Sequence, residues 1–255
     1  MSQSISLGMY SLSVELAEAW RALFLTAKTL YPNLNIPTSV INSVNMTDVT
    51  NSLTRLSHIC GLPLLSQFQG RLTPLCAPHF DVEGIDGVEY FSYFMVREDS
   101  CIQSVKQSRG SVVAVNSIDS NSGMGVLRHE LKKNCGANQL EFFFREIIYS
   151  GAHVDSVQCL INGEADIASI DAVTYAYFQR INPELDKLLR IVGSSVKMTS
   201  PPFVTQTNNP ICDPAGFTKK LNRALAALSP TQRELLNIKA FAEVSLKDYM
   251  PMLAL

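Results

Sequence analysis

Long apolar runs are missing from this sequence: no stretch approaches the roughly 18 to 20 uninterrupted apolar residues that a membrane-spanning helix needs, so direct membrane insertion is not expected. An excess of one charge is missing as well. Lys plus Arg number 21 against 23 Asp plus Glu, giving a net charge of -2, and a pI near 6.1 leaves no polycationic footprint for nucleic acid. Cysteine pairs at metal-ligand spacing are absent too. Cys60, Cys76, Cys101, Cys135, Cys159 and Cys212 lie far apart, without CxxC or HxxxH partners, so no metal and no cofactor is expected. Contexts such as Val157 to Leu160 suggest small buried hydrophobes of a reducing compartment, with one or two disulfides open to the chain after export. There is no fixed-period repeat, low-complexity tract or charge run, which excludes solenoids, propellers and tails. The start, MSQSISLGMYSLS, lacks the basic and apolar regions of a secretory leader. The protein is therefore read as periplasmic if a leader has been removed, and as cytoplasmic if Met1 is the native start.

What is present is apolar mass. The 255 residues are 46% hydrophobic and 17% charged, with a mean hydropathy of +0.10, enough to bury one large domain or two lobes.

The order of elements is α/β. SISLGMY alternates like a short strand, and Leu16, Trp20, Leu23, Ala27 and Leu30 then recur at helical spacing until Pro32. CGLPLL and RLTPLCAP are two apolar cores that fit either a strand or a helix. VEYFSYFMVRED, from Val88 to Asp99, predicts one long strand able to cross between lobes. A βα rhythm follows: SVVAVN as a strand buried on both faces, then a helix over Gly123 to Leu131; REIIYS and a helix over Val154 to Ile161, ended by Asn162 and Gly163; DIASI and a helix over Ala172 to Gln179; and a fourth strand over Leu188 to Val192. The tail from Pro214 reads as two helices, with Ser229, Pro230 and Gln232 forming a capping box. The predicted division is 1–94 as the first part of lobe I, 95–197 as lobe II, and 198–255 as the return to lobe I.

In parallel α/β sheets ligands gather beyond the carboxyl ends of strands, where helix N-termini offer free N–H groups. SIDSNSG, from Ser117 to Gly123, occupies one such end. There Ser120, Asn121 and Ser122 can surround a phosphate-sized anion with hydroxyls and backbone N–H groups, and the same residue types are also what an ordinary helix N-cap uses. His153 sits at the next junction, as a donor or cation for the anion or as a surface histidine. Asp171 ends DIASI, where it serves as an N-cap or accepts a hydrogen from the ligand; the latter favours a protonated phosphate oxygen or a ligand ammonium and rejects sulfate. Tyr10, Tyr90 and Tyr93 are either cleft walls or core aromatics.

Three segments, GVEYFSYFMVRED, AVNSIDSNSGMGVLRHEL and YSGAHVDSVQCLINGEADIASIDAVTYA, in this order and spacing, resemble the substrate-binding proteins of phosphate/phosphonate ABC transporters, within the type 2 periplasmic-binding-protein superfamily. The likeness covers about residues 5–205. It implies a two-lobed α/β type 2 periplasmic-binding-protein fold, with the ligand cleft between lobes joined by two crossing strands. It further implies that Ser120, Asn121 and Ser122 hold the phosphonate oxygens, that His153 contacts the anion, that Tyr10 and Tyr93 line the cleft with Tyr90 beside them, and that Asp171 faces the ligand's polar substituent. The expected partners are a small phosphorus oxyanion and an ABC permease, and the expected state is a monomer. Two alternatives stay open. One is a cytoplasmic sensor, or an enzyme related to thiamine-pyrimidine synthesis, on the same fold. The other is a hydrolase using Ser122, His153 and Asp171, against which the glycines of a Gly-x-Ser-x-Gly elbow would have to fall where Ser120 and Met124 stand.

Overall fold

Ser13 opens the first long helix: its hydroxyl accepts the Leu16 N–H, and Leu16, Ala19, Trp20, Leu23, Phe24 and Ala27 bury one face from Val14 to Leu30. The computed structural model describes residues 4–34, 36–37, 39–41, 49, 51, 53–137, 139–208 and 214–255; Cys212 and most of the polar stretch between Asn35 and Thr54 lie outside them. The strands are Ser4–Ser6 (β1), Ser39–Ile41 (β2), Thr54–His58 (β3), Leu72–Phe80 (β4), Glu89–Tyr90 (β5), Ser92–Arg97 (β6), Val112–Val115 (β7), Glu146–Tyr149 (β8), Ile167–Asp171 (β9), Leu189–Ser194 (β10), Met198–Thr199 (β11), Phe203–Gln206 (β12) and Ile238–Glu243 (β13).

The chain forms two units, Met1–Glu89 with Thr199–Met250, and Tyr90–Met198 with Pro251–Leu255. In the first, the described strands run β13-β4-β12-β3-β1-β2. Here β1 is parallel to β2 and β3, whereas β12 is antiparallel to β3 and β4 and β13 is antiparallel to β4. In the second, the order is β10-β6-β9-β7-β8, with β7 parallel to β8 and β9 and with β6 antiparallel to β9 and β10. Both units are thus α/β and built on mixed sheets, as the two-lobed expectation requires. Two of the three divisions of the chain fall in β5 and β11, which pair with each other as a short ribbon, and the third follows Met250.

Strand β7 is buried at every position, as a strand flanked by parallel neighbours requires. The core of this unit gathers Met95, Ala114, Val157, Leu160, Ile170 and Tyr175, with Tyr93 packed against it. Asn162 caps the helix His153–Ile161, and Gly163 follows at φ +74, a left-handed conformation that glycine adopts without strain.

Three expectations are corrected. The long strand over Val88 to Asp99 is two strands broken at Phe91: β5 pairs with β11, whereas β6 pairs with β9 and β10. The helix expected from Gly123 starts at Asn121 as a wide π turn, Asn121–Gly125, before the regular helix Val126–Asn134. The tail is not helical throughout: Ser229 does form the capping box with Gln232, but Asn237 at φ 50 ends that helix and turns the chain into β13. The Asn222 side chain fixes β13 by donating to the Phe241 carbonyl at 2.8 Å and accepting its N–H at 2.7 Å.

Candidate functional site

The loop after β7 folds around Ser120. Its hydroxyl accepts the Gly123 N–H at 3.0 Å, and its carbonyl accepts the N–H groups of both Met124 and Gly125 at 3.0 Å. Two asparagine side chains crowd the turn: a Cβ on Gly123 would lie 2.1 Å from Asn116 Oδ1, and one on Gly125 would lie 2.8 Å from Asn121 Oδ1. The N-cap role of Ser120 is therefore real, and the turn it caps is a wide π turn whose polar residues stay buried.

Ser122 is the junction of the site. Its Oγ lies 2.8 Å from His153 Nε2 and 3.3 Å from Ser120 Oγ. Its carbonyl accepts hydroxyls from Ser92 on β6 and Ser169 on β9, each at 2.8 Å. Asn121, fully buried, donates from Nδ2 to the Tyr90 phenol at 3.1 Å and to Met198 sulfur at 2.8 Å, while its Oδ1 has no hydrogen-bond donor.

His153 begins the helix after β8, buried, with Nδ1 at 3.2 Å from the Ser169 carbonyl. Burial pushes its pKa down to about 4 against the opposing pull of that carbonyl. The imidazole is therefore neutral near pH 7, which corrects the expectation of a histidine cation or a surface histidine. Asp171, at the end of β9, accepts the Thr174 N–H at 2.8 Å and so caps the helix Ala172–Ile181.

The structure brings Ser120, Ser122 and His153 into one hydrogen-bonded network, and a separate bond joins Asn121 of the same loop to Tyr90. Asp171 stands two residues beyond Ser169, whose carbonyl and hydroxyl both belong to that network. Tyr93 is half-buried, edge-on to Phe91 and Tyr175. Tyr10 belongs to the first unit, 2% exposed, against Phe80 and His58, with its carbonyl accepting the Trp20 indole N–H at 2.9 Å.

Sequence reasoning missed Ser92 and Ser169. Both serines sit in strands buried at neighbouring positions, where a hydroxyl must find a partner, and that is the signal that could have found them. His58 closes β3, donates from Nε2 to the Pro201 carbonyl at 2.9 Å and stacks on Phe203 at 4.4 Å. Burial holds its pKa at about 4 as well.

Among the described residues no group of His, Cys, Asp and Glu is arranged to hold a metal ion, and Cys60, Cys76, Cys101, Cys135 and Cys159 are free thiols. No described helix is long and apolar enough to cross a membrane.

The family model that matches, over residues 70–249, is described as ABC transporter, phosphonate, periplasmic substrate-binding protein. The comparison with curated proteins gives no match. Among solved structures, a Prochlorococcus marinus protein in complex with methylphosphonate superposes with a TM-score of 0.75 at 16% identity, covering 99% of this chain and 96% of that one. A binding-protein component of an ABC phosphonate transporter from Pseudomonas aeruginosa gives 0.77 at 12% identity, covering 98% and 84%. A Xanthomonas citri protein solved with ATP gives 0.66 at 17% identity, covering 99% and 96%.

Proposed function

Because the chain belongs to the periplasmic substrate-binding proteins of phosphonate ABC transporters, we propose that it takes up a small phosphorus oxyanion at the loop Ser120 to Gly123 and passes it, as a monomer, to an ABC permease outside the cytoplasmic membrane. The observation that carries the choice of site is the buried network joining Ser120, Ser122 and His153. It gathers hydroxyl, imidazole and backbone groups at the end of a parallel strand, with no lysine or arginine in the loop itself. Three or four charge-assisted hydrogen bonds, each contributing about 1.5 to 3 kcal/mol before ordering costs, reach the roughly 8 kcal/mol of micromolar affinity. In this reading Asn121 and Tyr90 support the loop, Tyr93 contributes ring surface, and Asp171 faces the ligand's polar substituent.

The protein is a binding protein and not an enzyme, in keeping with its family. The hydrolase alternative also lacks its geometry: His153 Nδ1 is held by the Ser169 carbonyl, and Asp171 caps Thr174. Calorimetric titration with methylphosphonate tests the proposal. Ser120→Ala should weaken binding at least several-fold, and an affinity unchanged by that substitution removes the loop from the site.

A further inference from the structure

Chemistry fixes the direction of each hydrogen bond along Ser122, His153 and Ser169. A backbone carbonyl only accepts, so the nitrogen facing the Ser169 carbonyl, Nδ1 at 3.2 Å, carries the ring proton. In the neutral imidazole the other nitrogen then holds a bare lone pair. Ser122 Oγ, 2.8 Å from that Nε2, must therefore be the donor. A hydroxyl has one hydrogen, and spending it on His153 leaves Ser122 with lone pairs alone for anything else that approaches. Ser120 does not reverse this, because its Oγ already accepts the Gly123 N–H at 3.0 Å and its remaining hydrogen is shared between Ser122, 3.3 Å away, and an incoming anion. The backbone of Ser122 is fixed as well, since Ser92 and Ser169 both donate to its carbonyl at 2.8 Å.

On the reading that the loop takes a phosphorus oxyanion, we propose that His153 sets the protonation state of the ligand: by drawing the Ser122 hydrogen to itself it makes Ser122 an acceptor, and the loop selects the singly protonated oxyanion, whose P–O–H donates to Ser122 Oγ, over the fully ionised one. His153 is a positioning residue in this scheme and acts through Ser122. The dianion meets an oxygen lone pair where it needs a hydrogen. It gains one only when His153 first takes up a proton, and burial at 9% exposure opposes that.

The titratable and charged groups on the elements around His153 are Asp155 and Cys159 on its own helix, Asp171 on β9, Tyr175, Tyr177 and Arg180 on the helix Ala172–Ile181, Tyr93 and Arg97 on β6, and Asp119 in the loop. Burial and the Ser169 carbonyl, rather than any of these, set the basicity of the ring.

The test is calorimetric titration of the full chain with methylphosphonate from about pH 5.5 to about pH 9, in two buffers of different ionisation enthalpy. The dissociation constant is expected to be flat while the ligand is a monoanion and to rise about tenfold per pH unit once it is mostly dianion, with about one proton taken up per ligand bound. His153→Ala frees the Ser122 hydrogen, so in that variant the slope is expected to flatten whatever happens to the affinity. Binding without slope and without proton uptake in the native protein overturns the inference and leaves the oxyanion reading standing. An unchanged slope in His153→Ala overturns the assignment to His153, and no binding at any pH overturns both readings. Should the variant fail to fold, nitrogen-15 spectra of the native imidazole decide the matter: protonated Nδ1 with bare Nε2 is expected at about pH 7, and the opposite tautomer or an imidazolium contradicts the scheme.

Discussion

Ser122 and His153, 31 residues apart, are joined by a 2.8 Å hydrogen bond between the loop after β7 and the first residue of the helix after β8. The bond exists because β7 and β8 are parallel and in register from Val112 with Glu146 to Val115 with Tyr149, so both strands end on the same side of the sheet. Ser169, just short of the end of β9, completes the arrangement by holding the far nitrogen of the ring. Three strand-to-helix junctions thus converge on one imidazole.

At position 123 a side chain could enter only if Asn116 moved. In Gly123→Ala the new Cβ meets Asn116 Oδ1 at 2.1 Å. Relieving that overlap is expected to cost about 1 to 3 kcal/mol in urea unfolding. A change below about 0.5 kcal/mol would show that the loop opens without penalty.

Asp171 has a cap to hold and, in the proposed function, a ligand group to face. Asp171→Ala removes the acceptor of the Thr174 N–H and is expected to lose about 0.5 to 2 kcal/mol, while Asp171→Asn keeps an acceptor and most of the stability. If the carboxylate also meets a ligand ammonium, Asp171→Asn weakens 2-aminoethylphosphonate several-fold more than methylphosphonate. Equal losses for the two ligands would leave Asp171 as a cap alone.

Two buried histidines make stability depend on pH. His58 and His153 both have folded-state pKa values lowered from 6.5 to about 4, so the fold favours their neutral forms. Above 6.5 folded and unfolded chains are alike in this respect; as pH falls toward 4 the unfolded chain binds protons that the folded chain refuses, and stability is lost. Each histidine is expected to account for about 2 kcal/mol between about pH 7 and about pH 5, read as a falling urea midpoint. His58→Phe and His153→Ala should each reduce that fall; a fall of the same size in both variants assigns the effect to other groups.

Strand β13 is clamped on its helix side by a single amide. Asn222→Ala strips both hydrogen bonds to the Phe241 backbone and is expected to cost about 1 to 3 kcal/mol, with faster amide hydrogen exchange across Ile238–Glu243. Unchanged exchange there would mean that pairing with β4 suffices.

The βα rhythm from Ser111 to Gln179 was legible because β7 is a continuous apolar run and each following helix has its own cap or apolar face. Ser120, Asn121, Ser122 and His153 were legible as residues at strand ends, and their capping chemistry was visible in the residue types. The tautomer of His153 was not legible, since it is set by a carbonyl 16 residues away at Ser169. Strand β13 was hidden because its edge position leaves Lys239, Ala242 and Glu243 exposed, and its clamp, Asn222, lies on an earlier helix. The break at Phe91 was hidden because aromatic and β-branched residues continue across it, and only the pairing of Glu89–Tyr90 with Met198–Thr199, more than a hundred residues away, shows where the partner changes.

The first measurement to make is a thermal-shift titration of the purified chain with methylphosphonate, phosphate and sulfate, repeated with Ser122→Ala. A ligand at 100 times its dissociation constant adds about 2.7 kcal/mol to folding. Stabilisation by methylphosphonate or phosphate but not by sulfate, lost in Ser122→Ala, is the expected result. Stabilisation by none of the three, or a shift that survives in Ser122→Ala, would contradict a phosphorus-oxyanion site at this loop.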